Sequence, residues 1–382
     1  MTSQAVGDRP LRVGVVGLGW AGQSHMTAYE SHPGIELVAI AGREPDLRAE
    51  LGGRFNIEAA YESADSLLEH PKLDAVSVAT PTFLHAPISI AALQAGLHVL
   101  CEKPLGRTAQ EAASVVQAAA RNDRVLDVAF NKRGRPAVIA LQRLIAQGRL
   151  GRIYYGRAHW LRRAVVPPDG SWFLNQEAAG GGALVDTGVH VLDLALHVLG
   201  EPRVSSVSAV TFAELGPRGL GRRPVTLDLP RKQMMGTGFE VEDFAAGLLR
   251  FDDGGALQLE CSWAAYQDSA DSFGLELFGT EAGARLEIGT ADPSADTLSV
   301  FGEVAGVPAK ADVPRPPAST VATGSHADIV STFVAHVTQG RPADLDLHDV
   351  LSRSSIIDAC YLSGRSGQQE RVVPGSELLS AG

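Results

Sequence analysis

Residues 11–43 most constrain how this chain can fold. An apolar run, Val13 to Val16, leads into Gly17-Leu18-Gly19-Trp20-Ala21-Gly22. A helix-like segment follows to about Glu30, then a turn at His32-Pro33-Gly34 and a second apolar run, Ile35 to Ala41. The first run is short enough for a buried strand. A G-x-G-x-x-G turn that follows a strand and opens a helix, within about thirty residues, is the fingerprint of a dinucleotide site. Gly17 allows the sharp exit from the strand, Gly19 lets a pyrophosphate approach the backbone, and Gly22 lets the helix pack on the strand. Trp20 and Ala21 open the helix, whose first N–H groups and positive dipole end face the phosphates. The bland alternative is a plain strand–helix turn with incidental glycines.

The end of the second run bears on which dinucleotide. An acid there would bind the ribose 2′-hydroxyl of NAD, and an Arg would accommodate the 2′-phosphate of NADP. Gly42 and Arg43 occupy the place. A small residue leaves room for a phosphate and Arg supplies a bidentate donor, so NADP(H) is favoured. Arg43 as a solvated loop residue is the competing reading, and Glu44 and Asp46 keep NAD(H) open.

Further along, apolar runs at 73–79, 98–101 and 125–130 alternate with helical segments. That rhythm predicts a doubly wound parallel sheet, whose ligands sit at the carboxyl ends of the strands. Thr80, Pro81 and His85, then Glu102, Lys103 and Pro104, then Asn131 all stand at such ends. Thr108 and Glu111 have the spacing of a capping box. After about residue 132 strands predominate, near 204–213, 241–251, 255–264, 273–278 and 297–303, before helices return at 325–338 and 347–363. The expectation is a nucleotide-binding domain over 1–132 and an α+β domain over 133–382 with a large, mostly antiparallel open sheet. The segment from Gly216 to Lys232, with five cations, reads as a solvated loop or subunit contact rather than an anion site.

A chain of 382 residues that is 45% hydrophobic can bury two cores. Its net charge of −11 argues against nucleic acid or anionic membrane as main partner. The first ten residues lack a signal-like apolar core, and no apolar run nears the roughly 18 residues of a membrane span. Cys101, Cys261 and Cys360 are few and far apart, which fits a reducing cytoplasm and argues against a zinc site. Cys101 reads as a buried thiol rather than a nucleophile.

Two places carry candidate chemistry. Lys103 sits at a strand end, stiffened by Pro104; partial burial beside a cationic nicotinamide eases deprotonation of an ammonium and suits it to proton transfer. Its bland alternative is a salt-bridged surface lysine. In Gly180-Gly181-Gly182-Ala183-Leu184-Val185-Asp186-Thr187-Gly188-Val189-His190, Asp186 and His190 are four apart and share a helix face. They would complete a proton relay with Lys103. Alternatives are a metal site, with Asp193 as an unconvincing third ligand, or a buried structural pair. His85 would either reach the cofactor or cap its helix. Between these motifs, Trp172 would stack on a sugar face and Arg163 would bond hydroxyls or a carboxylate, against ordinary loop packing.

Together the motifs resemble the Gfo/Idh/MocA family, the glucose–fructose oxidoreductase and inositol dehydrogenase group, across most of the chain. The resemblance rests on the 17–22 glycine turn, Ala79-Thr80-Pro81 with His85, Glu102-Lys103-Pro104, the 181–190 segment, Val241-Glu242-Asp243, Phe251-Asp252-Asp253-Gly254 and Phe278-Gly279-Thr280. It implies a Rossmann domain and a pyridine-nucleotide dehydrogenase or reductase acting on a secondary alcohol of a sugar, cyclitol or glycoside. Lys103 would be the catalytic lysine, with Asp186 and His190 as partners, and the second sheet would serve substrate binding and homodimer or homotetramer assembly. Gly42 departs from the acid common in the family. The resemblance also leaves room for redox-neutral, NAD-assisted glycoside cleavage, and a non-catalytic nucleotide-binding regulator is the third alternative.

Overall fold

The computed structural model describes residues 9–222, 238–290, 292–314, 325–339 and 347–380. The first elements are β1 (Leu11–Val16), α1 (Trp20–Glu30), β2 (Ile35–Ala41), α2 (Pro45–Arg54), β3 (Ala59–Tyr61), α3 (Ala64–Leu68), β4 (Ala75–Val78), α4 (His85–Gln94), β5 (His98–Cys101), α5 (Ala109–Asn122) and β6 (Leu126–Val128). There follow α6 (Pro136–Ala146), β7 (Ile153–Arg162), α7 (Gln176–Ala179), α8 (Val189–Leu199), β8 (Val204–Phe212), β9 (Phe244–Phe251), β10 (Ala256–Ser262), β11 (Asp271–Gly279), β12 (Gly283–Glu287), β13 (Thr297–Val304) and β14 (Val307–Asp312). The chain closes with α9 (His326–Gln339), α10 (Leu347–Ser366), β15 (Glu370–Arg371) and α11 (Gly375–Ser380). Most of the cation-rich 216–232 segment lies outside the described residues.

The chain forms two compact units. The first joins residues up to Asn131 with Ser325–Ser354 and the segment from Pro374; the second holds Lys132–Gly324 and Ser355–Val373. This corrects the expectation of an unbroken second domain over 133–382. The reason is apolar burial. Val330, Phe333, Val334 and Val337 of α9 are buried in one core with Leu11, Val13, Met26, Tyr29 and Ile40. The length of the intervening chain is no obstacle to such a return, because closure entropy grows only slowly with loop length. A buried hydrogen bond, His336 Nδ1 to Asp127 Oδ2 at 2.8 Å, fixes α9 against β6.

The sheet of the first unit is parallel throughout, in the order β3-β2-β1-β4-β5-β6. The order reverses between β1 and β4, which opens the crevice where nucleotides bind in such sheets. Thr108 caps α5 as expected, accepting from the Glu111 N–H at 3.2 Å. The Glu111 carboxylate, however, turns to the N–H and guanidinium of Arg107.

The second unit contains a nine-stranded sheet, β14-β13-β12-β11-β7-β10-β9-β8-β15, antiparallel everywhere except at β7–β10. Alternating burial along β10 shows one face covered, as such sheets allow. The stretch Gln176–Leu199 is long and apolar enough to cross a membrane by composition, contrary to expectation, but 78% of its most apolar window is buried in the protein. It is a core element.

Replacing Phe333 by Ala is expected to destabilise the first unit by about 3–5 kcal/mol. Urea unfolding followed together with nucleotide binding checks this, and an unchanged transition contradicts the discontinuous core.

Candidate active site

In the first unit the glycine turn has the shape its sequence demands. Gly17 has φ +102°, and a Cβ there would stand 2.2 Å from the Ala79 carbonyl oxygen, so the turn passes directly over the end of β4. A Cβ on Gly22 would meet the Gly17 carbonyl at 1.9 Å, whereas one on Gly19 would meet nothing within 4 Å. Gly17 and Gly22 are needed for packing; Gly19 leaves its backbone open to a ligand. Gly19 also begins α1 without a side-chain cap, leaving initial N–H groups for an anion. Thr80 Oγ1, across the crevice at the end of β4, is buried with no hydrogen-bond partner among the described residues. Asn131 Oδ1 is the same. An open backbone, an uncapped helix start and an orphaned hydroxyl fit a dinucleotide pyrophosphate.

At the end of β2, Arg43 is exposed. Gly42 gives its carbonyl to Arg48 Nη1 at 2.5 Å. The Glu44 carboxylate lies 3.3 Å from the position that a Cβ on Gly42 would take. A carboxylate therefore stands near the place where position 42 itself has none.

Two residues expected at the cofactor have internal work instead. Glu102 is buried. Its Oε1 lies 3.2 Å from His25 Nε2 and 3.4 Å from His326 Nε2, and its Oε2 accepts the Lys103 N–H at 3.2 Å. Burial opposes the charge, but the two histidines outweigh it and hold the carboxyl well below its ordinary pKa. An ionised carboxylate only accepts, so both rings present N–H to it. His25 Nδ1 also pairs with Ser77 Oγ at 3.0 Å, and Ser77 pairs with Tyr29 at 2.5 Å. The three ligand atoms lie within 4.8 Å of one another, a set that could hold a cation; their mutual hydrogen bonds already account for the geometry. His85 is also buried. Its ring nitrogens face the carbonyls of Pro104 at 2.7 Å and Thr80 at 2.8 Å, and burial lowers its pKa. It braces the two strand-end turns. Trp20 is 75% exposed and lies edge-on to His326 at 5.3 Å. Cys101 is a buried thiol whose pKa burial raises.

Lys103 is the single half-buried residue in the otherwise buried run 99–106. The second unit repeats the pattern: Asp186 and His190 alone are half-buried in the run 181–196. The expected helix face opens with a π-helical turn, Leu184–Gly188, that continues into α8. Such turns often mark functional sites. Asp186 Oδ2 accepts from the indole N–H of Trp263 at 2.9 Å. The His190 ring lies 5.7 Å from that of Trp160, itself stacked on Phe273 at 4.6 Å and covered by Arg162 at 4.3 Å. Asp193 is bound to Arg133, with Nε 2.9 Å from Oδ2, which removes it as a third metal ligand. Trp172 is stacked on Phe173 at 3.8 Å, and the Arg163 Nε donates to the Gln267 carbonyl at 3.0 Å; both have the local contacts of the packing alternative.

Sequence reasoning missed His25, His326 and Trp263. His25 is three residues beyond Gly22 on α1, a visible spacing. His326 and Trp263 are distant in sequence, and no local pattern announces them.

The family profile described as "Oxidoreductase family, NAD-binding Rossmann fold" matches residues 11–130, and the GFO/IDH/MocA C-terminal domain matches 138–285. D-glucoside 3-dehydrogenase of Escherichia coli is 33% identical over 288 residues, 74% of this chain and 78% of its own. Levoglucosan dehydrogenase of Pseudarthrobacter phenanthrenivorans is 37% identical over 220 residues, 55% of this chain and 56% of its own. A solved levoglucosan dehydrogenase in complex with NADH superposes with a TM-score of 0.82 at 28% identity, covering 96% of this chain and all of that one; the same holds for a complex with NADH and L-sorbose.

Because Glu102 sits below its unfolded pKa of about 4.5, it contributes stability that is present above that value and lost as pH falls through the folded one. Glu102→Gln is expected to cost about 3–5 kcal/mol at pH 7 and to flatten the acid limb of the stability profile. Melting from pH 7 down to 3 tests this; parallel profiles for the two proteins would contradict it.

Proposed function

The chain belongs to the Gfo/Idh/MocA oxidoreductase family, and from that premise we propose that it is an NAD(H)-dependent dehydrogenase acting on a secondary alcohol of a sugar or cyclitol. The observation that carries this reading is the matched exposure of Lys103, Asp186 and His190, each a polar group left half-buried in a run that is otherwise buried. Ionisable side chains so placed are costly unless they serve.

Gly17, Gly19, Gly22 and the start of α1 would hold the pyrophosphate, with Thr80 Oγ1 as a further donor. Bound, the nicotinamide supplies the acceptor or donor for a hydride at the carbinol carbon. Lys103 takes the hydroxyl proton during oxidation and returns it during reduction. Asp186 accepts from a substrate hydroxyl, and His190 hydrogen-bonds the reacting oxygen. Glu44 favours NAD(H) over the NADP(H) that Gly42 and Arg43 suggest: a carboxylate accepts from a 2′-hydroxyl and repels a 2′-phosphate. The NADH complexes of the levoglucosan dehydrogenase support the same side.

Lys103→Met is expected to bind NADH with unchanged affinity and to lose turnover by about 10²–10⁴-fold; near-normal turnover on glucosides and levoglucosan would end the assignment. Calorimetric titration should show NADH binding more tightly than NADPH, with Glu44→Gln narrowing the gap. Tighter NADPH binding that weakens in Arg43→Ala would reverse the cofactor assignment.

A further inference from the structure

Glu242 is a buried carboxylate that the reaction above does not use. Its oxygens accept the N–H groups of Gly182 at 3.0 Å and Leu184 at 2.8 Å, and the Tyr361 hydroxyl at 2.9 Å. Its own carbonyl accepts the Ala183 N–H at 3.1 Å. One residue thus meets three successive N–H groups at the entrance to the π-helical turn. The approach is close enough that a Cβ on Gly182 would stand 1.9 Å from the Glu242 carbonyl, and one on Gly181 would stand 1.8 Å from the Tyr361 hydroxyl. Gly181 and Gly182 are therefore required by the close approach of Tyr361 and of the Glu242 backbone, whereas Gly180 ends α7 in the left-handed region at φ +85°. Burial and the neighbouring charge push Tyr361 well above its ordinary pKa, so it stays protonated and donates.

The next residue along, Asp243, completes a circuit. Its carbonyl accepts the backbone N–H of Trp263 at 2.9 Å, and Trp263, fully buried, donates its indole N–H to Asp186. Asp243 is itself fixed by the N–H groups of Leu215 at 2.7 Å and Gly216 at 2.6 Å. The backbone entering the turn and the carboxylate leaving it are both referenced to the adjacent pair Glu242–Asp243.

We propose that Glu242 and Trp263 are positioning residues, which together set the height and the rotamer at which Asp186 is presented to substrate. Glu242 acts on the backbone of the turn and Trp263 on the side chain. The proposal rests on the assignment of Asp186 to substrate, and it adds residues that never touch substrate themselves. Glu242→Gln keeps the volume but points an amide N–H₂ at N–H donors. Trp263→Phe removes the indole N–H and keeps an aromatic ring.

The test uses the full chain with Glu242→Gln, Glu242→Asp, Trp263→Phe and Asp186→Asn. The probes are NAD⁺ with levoglucosan and methyl β-D-glucoside, and the indole N–H resonance of Trp263, identified by its loss in Trp263→Phe. Glu242→Gln and Trp263→Phe should each lower kcat on the order of a hundredfold, with NADH affinity unchanged and the acid limb of the pH–rate profile displaced. Trp263→Phe bears the test if Glu242→Gln fails to fold, and Glu242→Asp should recover part of the loss. The indole resonance should move in Asp186→Asn and also in Glu242→Gln. An unmoved resonance in Glu242→Gln, or wild-type kcat and pH profile in a folded Glu242→Gln or Trp263→Phe, overturns the positioning role. Wild-type turnover in Asp186→Asn overturns instead the reading on which it rests.

Discussion

A buried carboxylate shared by two imidazoles holds the first unit's Lys103 turn in place. Glu102 stands at the end of β5, His25 on α1 and His326 on α9. A charge taken out of water is tolerated only when its oxygens are matched by donors. Those donors come from three separate parts of the chain, the Lys103 N–H included. Helix α1, the lysine turn and the returning helix α9 are therefore adjusted to one another through a single pair of oxygens. His85 adds a second brace between Thr80 and Pro104.

The second unit meets the same constraint with different parts. Glu242 is buried, and its partners are backbone N–H groups and a tyrosine hydroxyl rather than imidazoles. Burial raises its pKa while those donors pull it back. In both units a buried acid braces a turn that carries a half-buried polar side chain, Lys103 in the first and Asp186 in the second. Rigid support behind a reactive group is what preorganisation requires.

The fold was legible where physics is local. Strand, glycine turn and helix could be read from 11–43 because each glycine answers a steric demand made within a few residues. The parallel sheet followed from alternation, and Asp186 with His190 from their spacing. What escaped the sequence was long-range satisfaction of buried polar groups. Glu102 and His85 look like ligand-facing residues because they occupy strand ends; only their partners at 25, 326, 80 and 104 show that they face inward. The assignment of α9 to the first unit escaped for the same reason, since an amphipathic helix does not declare which core will cover it.

That assignment has a consequence for synthesis. The first 131 residues leave the ribosome with the apolar face of α1 and β2 uncovered, because Val330, Phe333, Val334 and Val337 belong to chain not yet made. At about 5–20 residues per second, the nearly two hundred intervening residues take roughly 10–40 s. For that interval the nucleotide unit is an incomplete body with an open hydrophobic flank and a Glu102 that still lacks His326. Its folding can be finished only by a segment that arrives after most of the other unit has been translated, so the order of translation and the order of completion run in opposite directions.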